Sequence, residues 1–170
     1  LLHVLRIGPV GEPVDPPAGV SFPEIVTHLG KRRVGRVKFS VWPNPSRPPR
    51  EVLALARAVD DADAIAPGVG WHCLWYADHY MPNTDDESFA PGDVHECWAM
   101  LAAIAATTSR IRLGPLVAPT SVHHPALLAN RAATIDQLSS GRFTLGLGAG
   151  WQINEHRAYG IELEPPGIRV

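Results

Sequence analysis

The sequence predicts an α/β fold built on a parallel sheet. Strand-length apolar stretches alternate with helical stretches four times, at a spacing of roughly 30–35 residues, and such alternation means parallel strands covered by helices. Proline- and glycine-rich breaks separate the stretches, where turn chemistry demands them. The chain has 170 residues, 45% hydrophobic and 19% charged, which suits one compact domain with a buried core rather than a disordered chain.

Residues 1–36 stand apart as an irregular, poorly ordered extension. They hold Pro9, Pro13, Pro16, Pro17 and Pro23, show no sustained period beyond a short apolar run at Val4–Ile7, and close on Lys31, Arg32, Arg33 and Arg36. The expected domain is 37–170, with Val37 a natural first residue. Residues 37–42 alternate as a first strand. Pro43, Pro45, Pro48 and Pro49 make the loop after it. Residues 51–64 follow as a helix with Val52, Leu55, Ala56 and Val59 on one face. The break at 67–70 leads into a second strand, 71–78, and a long polar loop, 79–91. Asp93 and Glu96 have capping-box spacing and open a helix running to about Ser109. The third strand is 111–118. His123-His124-Pro125 starts the next helix, which carries Leu127, Leu128, Arg131, Ile135 and Leu138 and ends before Gly141. The fourth strand is 143–148, and Asn154 is placed to cap a short helix ending near Gly160. Two architectures share this order: a doubly wound open sheet and a TIM barrel.

Composition excludes several functions. The net charge is −2, which leaves no basic excess for nucleic acid. No apolar run reaches the length of a membrane-spanning helix. Cys73 and Cys97 are too few for a zinc cluster or a disulfide framework, so two free thiols and a cytoplasmic setting are expected. Residues 1–36 lack the order of charge, apolar core and cleavage site that marks a signal peptide.

Both candidate architectures put function at the C-terminal strand ends. Those ends offer Trp42, Pro43 and Asn44; then Asp78, His79 and Tyr80; then Pro119, Thr120, Ser121, His123 and His124; then Gly148, Ala149, Gly150, Trp151 and Asn154. An imidazole titrates near neutrality, so His79 suits proton transfer, with a loop-bracing hydrogen bond as the plainer role. His123 and His124 are adjacent, point apart and lack a third ligand at a familiar spacing, so helix initiation is expected and no metal. Asp85-Asp86-Glu87 reads as a solvated loop. Gly146-Leu147-Gly148-Ala149-Gly150 lies between strand and helix, but Trp151 stands where a dinucleotide fingerprint needs glycine, and Glu164 adds only weak support for a ribose site. Glycines there instead suit the approach of a flat ring or a phosphate to the backbone.

Several segments together resemble the luciferase-like monooxygenase superfamily, and within it the flavin- and deazaflavin-dependent oxidoreductases. They are Phe39-Ser40-Val41-Trp42, Leu74 through His79, Arg110 through Val117, His124-Pro125-Ala126 with Ser140-Gly141-Arg142, and Leu145 through Trp151 with Asn154 through Gly160. The resemblance runs from about Val37 to Val170 and implies a TIM (β/α)8 barrel of which the first four units are present. A half-barrel of this kind is expected to associate, to require the other half, or to be inactive alone. The resemblance further implies a cofactor across the strand ends, coenzyme F420 or, as the alternative, FMN. It places His79 as the catalytic residue, and Asp78, Leu116, Val117, Ala118, Gly148, Ala149, Gly150, Trp151 and Asn154 around the cofactor. Trp42 and Tyr80 fall in the substrate pocket. A cis peptide is implied at Leu116–Val117, and Asn154 near the phosphate tail. Trp151 replaces a glutamate of sugar-phosphate-oxidising relatives, which argues against such a substrate. The implied activity is hydride transfer with a small organic molecule. The alternative is an FMN-dependent monooxygenase using molecular oxygen and a separate reductase. A homo-oligomeric full-length form is expected.

Overall fold

The computed structural model describes residues 3–5, 38–65, 70–84, 88–89, 91–165 and 167–169. Its strands are β1 (His3–Leu5), β2 (Ser40–Val41), β3 (Cys73–Tyr76), β4 (Arg112–Pro115), β5 (Ala118–Pro119) and β6 (Leu145–Gly148). Its helices are α1 (Pro49–Ile65), α2 (Cys97–Thr107), α3 (Pro125–Leu138) and α4 (Ile153–Tyr159). The architecture is α/β, and every strand pair is parallel except the one made by β1.

β2, β3 and β4 form one sheet, with Val41 opposite Leu74 and Leu74 opposite Leu113. A parallel bridge from Leu113 to Phe143 carries the wall on to β6. The expected third strand is two short strands: β4 pairs with β3, while β5 pairs with β6 and sets Ala118 opposite Leu147. Between them lie Leu116 and Val117, joined by a cis peptide bond as the resemblance implies. Within the expected irregular extension, residues 3–5 instead form a strand, antiparallel to β6; the remainder of 1–36 lies outside the described residues.

The strands approach each other closely where the third and fourth meet. A side chain at Gly114 would overlap the Thr144 carbonyl oxygen, and one at Gly146 the Pro115 carbonyl oxygen. Backbone cannot yield there as a side chain can, so glycine is required at both crossings.

The helices pack on this wall through Val52 and Ala56 of α1, Leu101 and Ile104 of α2, and Ala132 and Ile135 of α3, against Leu74, Leu113 and Phe143. In α3 the buried apolar residues are Leu128, Ala132 and Ile135, whereas Leu127 and Leu138 are exposed. Cys73 and Cys97 are buried free thiols. Burial pushes the Cys73 thiol up to about 12, and Cys97 well above its ordinary value. None of the described helices is long and apolar enough to cross a membrane.

Two helix starts differ from expectation. Glu96 does not complete a box begun at Asp93; it is itself the cap of α2, accepting from the Ala99 amide at 2.6 Å. Any acceptor of suitable reach at the boundary can take that donor, and here the carboxylate does so. At α4 the boundary residue is Gln152, and Asn154 sits inside the helix. Gly160 closes α4 in the left-handed region at φ 66°, as its position suggested.

The loop that feeds β4 is held from α1. Asp60 accepts from the amides of Ser109, Arg110 and Ile111, each at 2.7 Å. Burial alone would raise its pKa, but these amides and the Ser109 hydroxyl together hold it below the ordinary 3.8. The stabilisation is therefore present above the unfolded-state pKa and is lost as pH falls through the lower folded-state pKa. Asp60→Asn places an amide among donors already satisfied by oxygen. It should destabilise the fold by about 1–3 kcal/mol at neutral pH, with the deficit shrinking below about pH 4. Urea unfolding of both proteins across that range checks this; a deficit independent of pH refutes the ionic assignment.

Candidate active site

The C-terminal strand ends enclose an open cleft of about 400 Å3. Its lining comprises Trp42, Asp78, His79, Leu116, Val117, Pro119, Gly148, Ala149, Gly150, Trp151 and Glu155. Ten residues named from the sequence, at the strand ends or around the cofactor, are thereby brought together. Ala118 is buried in the core beside them, and Tyr80 and Asn154 stand outside the lining.

β3 delivers Asp78 and His79 in succession, and the two side chains enter separate networks. Asp78 is buried, and its Oδ2 accepts from Trp98 Nε1 at 3.0 Å and from His123 Nε2 at 2.7 Å. Arg131 donates to the other ring nitrogen of His123 at 3.4 Å, so the proton of neutral His123 resides on Nε2 and points at the carboxylate. With Oδ2 doubly engaged, Asp78 Oδ1 has no hydrogen-bond partner among the described residues. His123 thus does more than initiate α3, where His124 is the boundary residue.

His79 Nδ1 meets both oxygens of Glu155, at 3.1 and 3.3 Å, and the Tyr80 amide donates to Glu155 Oε2 at 3.0 Å. Trp151 stands edge-on to the His79 ring with centroids 5.8 Å apart. Tyr80 packs against Tyr159. Burial, reinforced by Asp78, Glu96 and Glu155, pushes the Tyr80 phenol above its ordinary range and keeps it protonated.

Two expectations take a different form. The Asn154 amide donates to the Pro82 carbonyl at 3.2 Å and the Ser88 carbonyl at 3.1 Å, so its side chain holds the loop after β3. That employment follows from its place inside α4 rather than at its tip. The glycines of 148–150 line the cleft with backbone, yet the space freed by their missing side chains is filled from within. A side chain at Gly148 would meet Val117, and one at Gly150, which has φ +80°, would meet Ser121.

Glu155 and Trp98 were not singled out from the sequence, and Pro119 and His123 were placed at the strand ends without a role in the cleft. One signal was available for Glu155: Gln152, Asn154, Glu155 and His156 crowd polar side chains into five residues at the start of a short helix, and the structure buries all four. A run of that kind announces internal hydrogen bonding. Among the described residues no group of three or more His, Cys, Asp and Glu could hold a metal ion.

The cleft suits a flat organic group. It has an apolar wall at Leu116–Val117, an aromatic rim at Trp42 and Trp151, a stretch of backbone at 148–150, and the partly exposed imidazole of His79. These features define a β/α protein with a ligand cleft at its strand ends. The chain belongs to the luciferase-like monooxygenase family, whose profile matches residues 35–170. It is 33% identical over 129 residues to 4-hydroxyprotoasukamycin monooxygenase of Streptomyces nodosus subsp. asukaensis, covering 75% of this chain and 33% of that protein. It is 36% identical over 117 residues to the F420-dependent glucose-6-phosphate dehydrogenase of Amycolatopsis mediterranei, covering 67% and 31%. The fold resembles the coenzyme F420-dependent tetrahydromethanopterin reductase of Methanopyrus kandleri, with a TM-score of 0.58 and 25% identity over 75% of this chain and 31% of that one. The chain therefore spans about a third of the length of these curated relatives.

Proposed function

We propose that this chain supplies the first four units of a (β/α)8-barrel oxidoreductase that binds a flavin-type cofactor and transfers hydride to or from a small organic substrate. Coenzyme F420 is the preferred cofactor. The observation that carries the reading is the pairing of an apolar wall, Leu116–Val117, with the partly exposed imidazole of His79 in one cleft. A planar ring with an apolar face and a hydrogen-bonding edge matches both.

When bound, such a cofactor supplies the hydride chemistry, and the protein supplies position and proton handling. Leu116 and Val117 support the ring face. Asp78, held by Trp98 and His123, is a buried part of the cleft wall. His79 takes or returns the proton that accompanies hydride transfer. Trp42, Tyr80 and Trp151 shape the substrate side, and Trp151 disfavours a sugar phosphate. Asn154 holds the loop after β3 through the Pro82 and Ser88 carbonyls.

The F420 preference draws support from the F420-dependent dehydrogenase and reductase among the similar proteins. The similarity to a monooxygenase favours a second reading, an FMN enzyme that uses molecular oxygen and a separate reductase. Expression in a host that makes both cofactors decides between them. The absorbance spectrum and mass of the copurifying small molecule should be those of F420; FMN would favour the second reading. A protein that carries neither, and binds neither on titration, overturns the proposal.

A further inference from the structure

Glu155 is buried at 2% exposure and receives two kinds of donor. One is the Tyr80 backbone amide, which has no alternative protonation state. The other is His79 Nδ1, which has one. An ionised carboxylate only accepts, so the contact requires the imidazole proton on Nδ1. In the neutral imidazole Nε2 then carries the lone pair, and it has no hydrogen-bond partner among the described residues.

The surrounding bonds keep Glu155 from moving away. Gln152 Nε2 donates to the Met81 carbonyl at 3.1 Å, Asn154 to Pro82 and Ser88, and the Tyr159 hydroxyl to the Tyr80 carbonyl at 3.3 Å. Residues of α4 and its boundary thus grip the loop that follows His79 at several points, with Glu155 among them.

We propose that Glu155 is the positioning residue of the cleft. It fixes His79 as the Nδ1–H tautomer, leaves the Nε2 lone pair for the ligand, and so selects molecules that present an O–H or N–H there. The ligand preference rests on the reading of the cleft as a substrate site. The tautomer does not.

Nitrogen-15 NMR of His79 in this chain, free of cofactor at about pH 9 where imidazoles are neutral, reads the tautomer directly. The resonance is assigned by its loss in His79→Gln. The wild-type protein should show Nδ1–H; Nε2–H overturns the proposal. Glu155→Gln then tests the cause. Its carbonyl must still accept the Tyr80 amide, which turns the NH2 group towards Nδ1 and forces the proton to Nε2. A variant that retains Nδ1–H overturns the role of Glu155. If the glutamine variant does not fold, Glu155→Asp keeps the charge, shortens the reach to His79, and should likewise release the Nδ1–H preference.

Phenol and its O-methyl counterpart anisole probe the ligand preference. Phenol should shift the Nε2 resonance and anisole should not; equal shifts, or none, overturn that part. Failure to bind flavin or deazaflavin with Nδ1–H retained removes the functional reading and leaves the tautomer standing. Cofactor binding with Nε2–H does the reverse.

Discussion

Replacing His79 with Ala, in a barrel completed by the remaining four units, should lower turnover by about 100-fold while cofactor affinity stays within about threefold. The expectation follows from its place on the cleft with one nitrogen committed to Glu155 and the other open to a ligand. The proposed hydride transfer needs a proton donor or acceptor of that kind, and the other titratable groups on the lining are already engaged. Asp78 is tied to Trp98 and His123, and Glu155 to His79 and Tyr80. Steady-state rates with saturating cofactor check the prediction. A loss below about threefold would assign His79 to bracing the loop and would move proton handling elsewhere.

The second large effect is on stability. Arg142→Ala should destabilise the fold by at least about 3 kcal/mol and lower the thermal midpoint by roughly 10 °C. Its guanidinium reaches five oxygens. Nε donates to the Ser139 carbonyl at 2.7 Å; Nη1 donates to the Ile111 carbonyl at 2.7 Å and the Thr108 hydroxyl at 2.9 Å. Nη2 donates to the carbonyls of Ala105 and Thr108 at 2.9 and 2.8 Å. Two of these carbonyls belong to the end of α2, where a helix leaves acceptors without internal partners. Burial lowers the Arg142 pKa, while nearby Asp60 favours its charge. Alanine would strand several partly buried carbonyls at once, which a lysine would only partly restore because it lacks the planar fork. Calorimetry of wild type, Arg142→Lys and Arg142→Ala should rank them in that order. An alanine variant within about 1 kcal/mol of wild type would show that water replaces the guanidinium without loss.

Asp60 and Arg142 both hold the segment that enters β4, at the opposite end of the strands from the cleft. His79, Asp78 and Glu155 occupy the other end. Stability and function are thus assigned to opposite ends of one wall, which is the division expected of β/α barrels.

Much of the fold was legible because its signals are local. The apolar faces of α1 and α2, proline at the start of α3, and Gly160 after α4 each depend on residues within a turn or two. The strand ends followed from the alternation, and with them eight residues of the cleft lining; Leu116 and Val117 were legible through the family resemblance. The cis peptide at Leu116–Val117 was legible only through the family resemblance, since no proline marks it. The helix boundaries at Glu96 and Gln152 slipped because several residues near each could have taken the capping place.

By itself the sequence determined an α/β chain whose parallel strands deliver Asp78, His79 and the glycine stretch to one end. Tertiary structure alone decided what those residues touch. His79 and Glu155 are 76 positions apart, and Asp78 and His123 are 45 apart. Their partnerships exist because adjacent parallel strands set loops from successive units side by side. No periodicity records such a pairing, because a hydrogen bond across the sheet constrains distance in space and leaves the intervening sequence free.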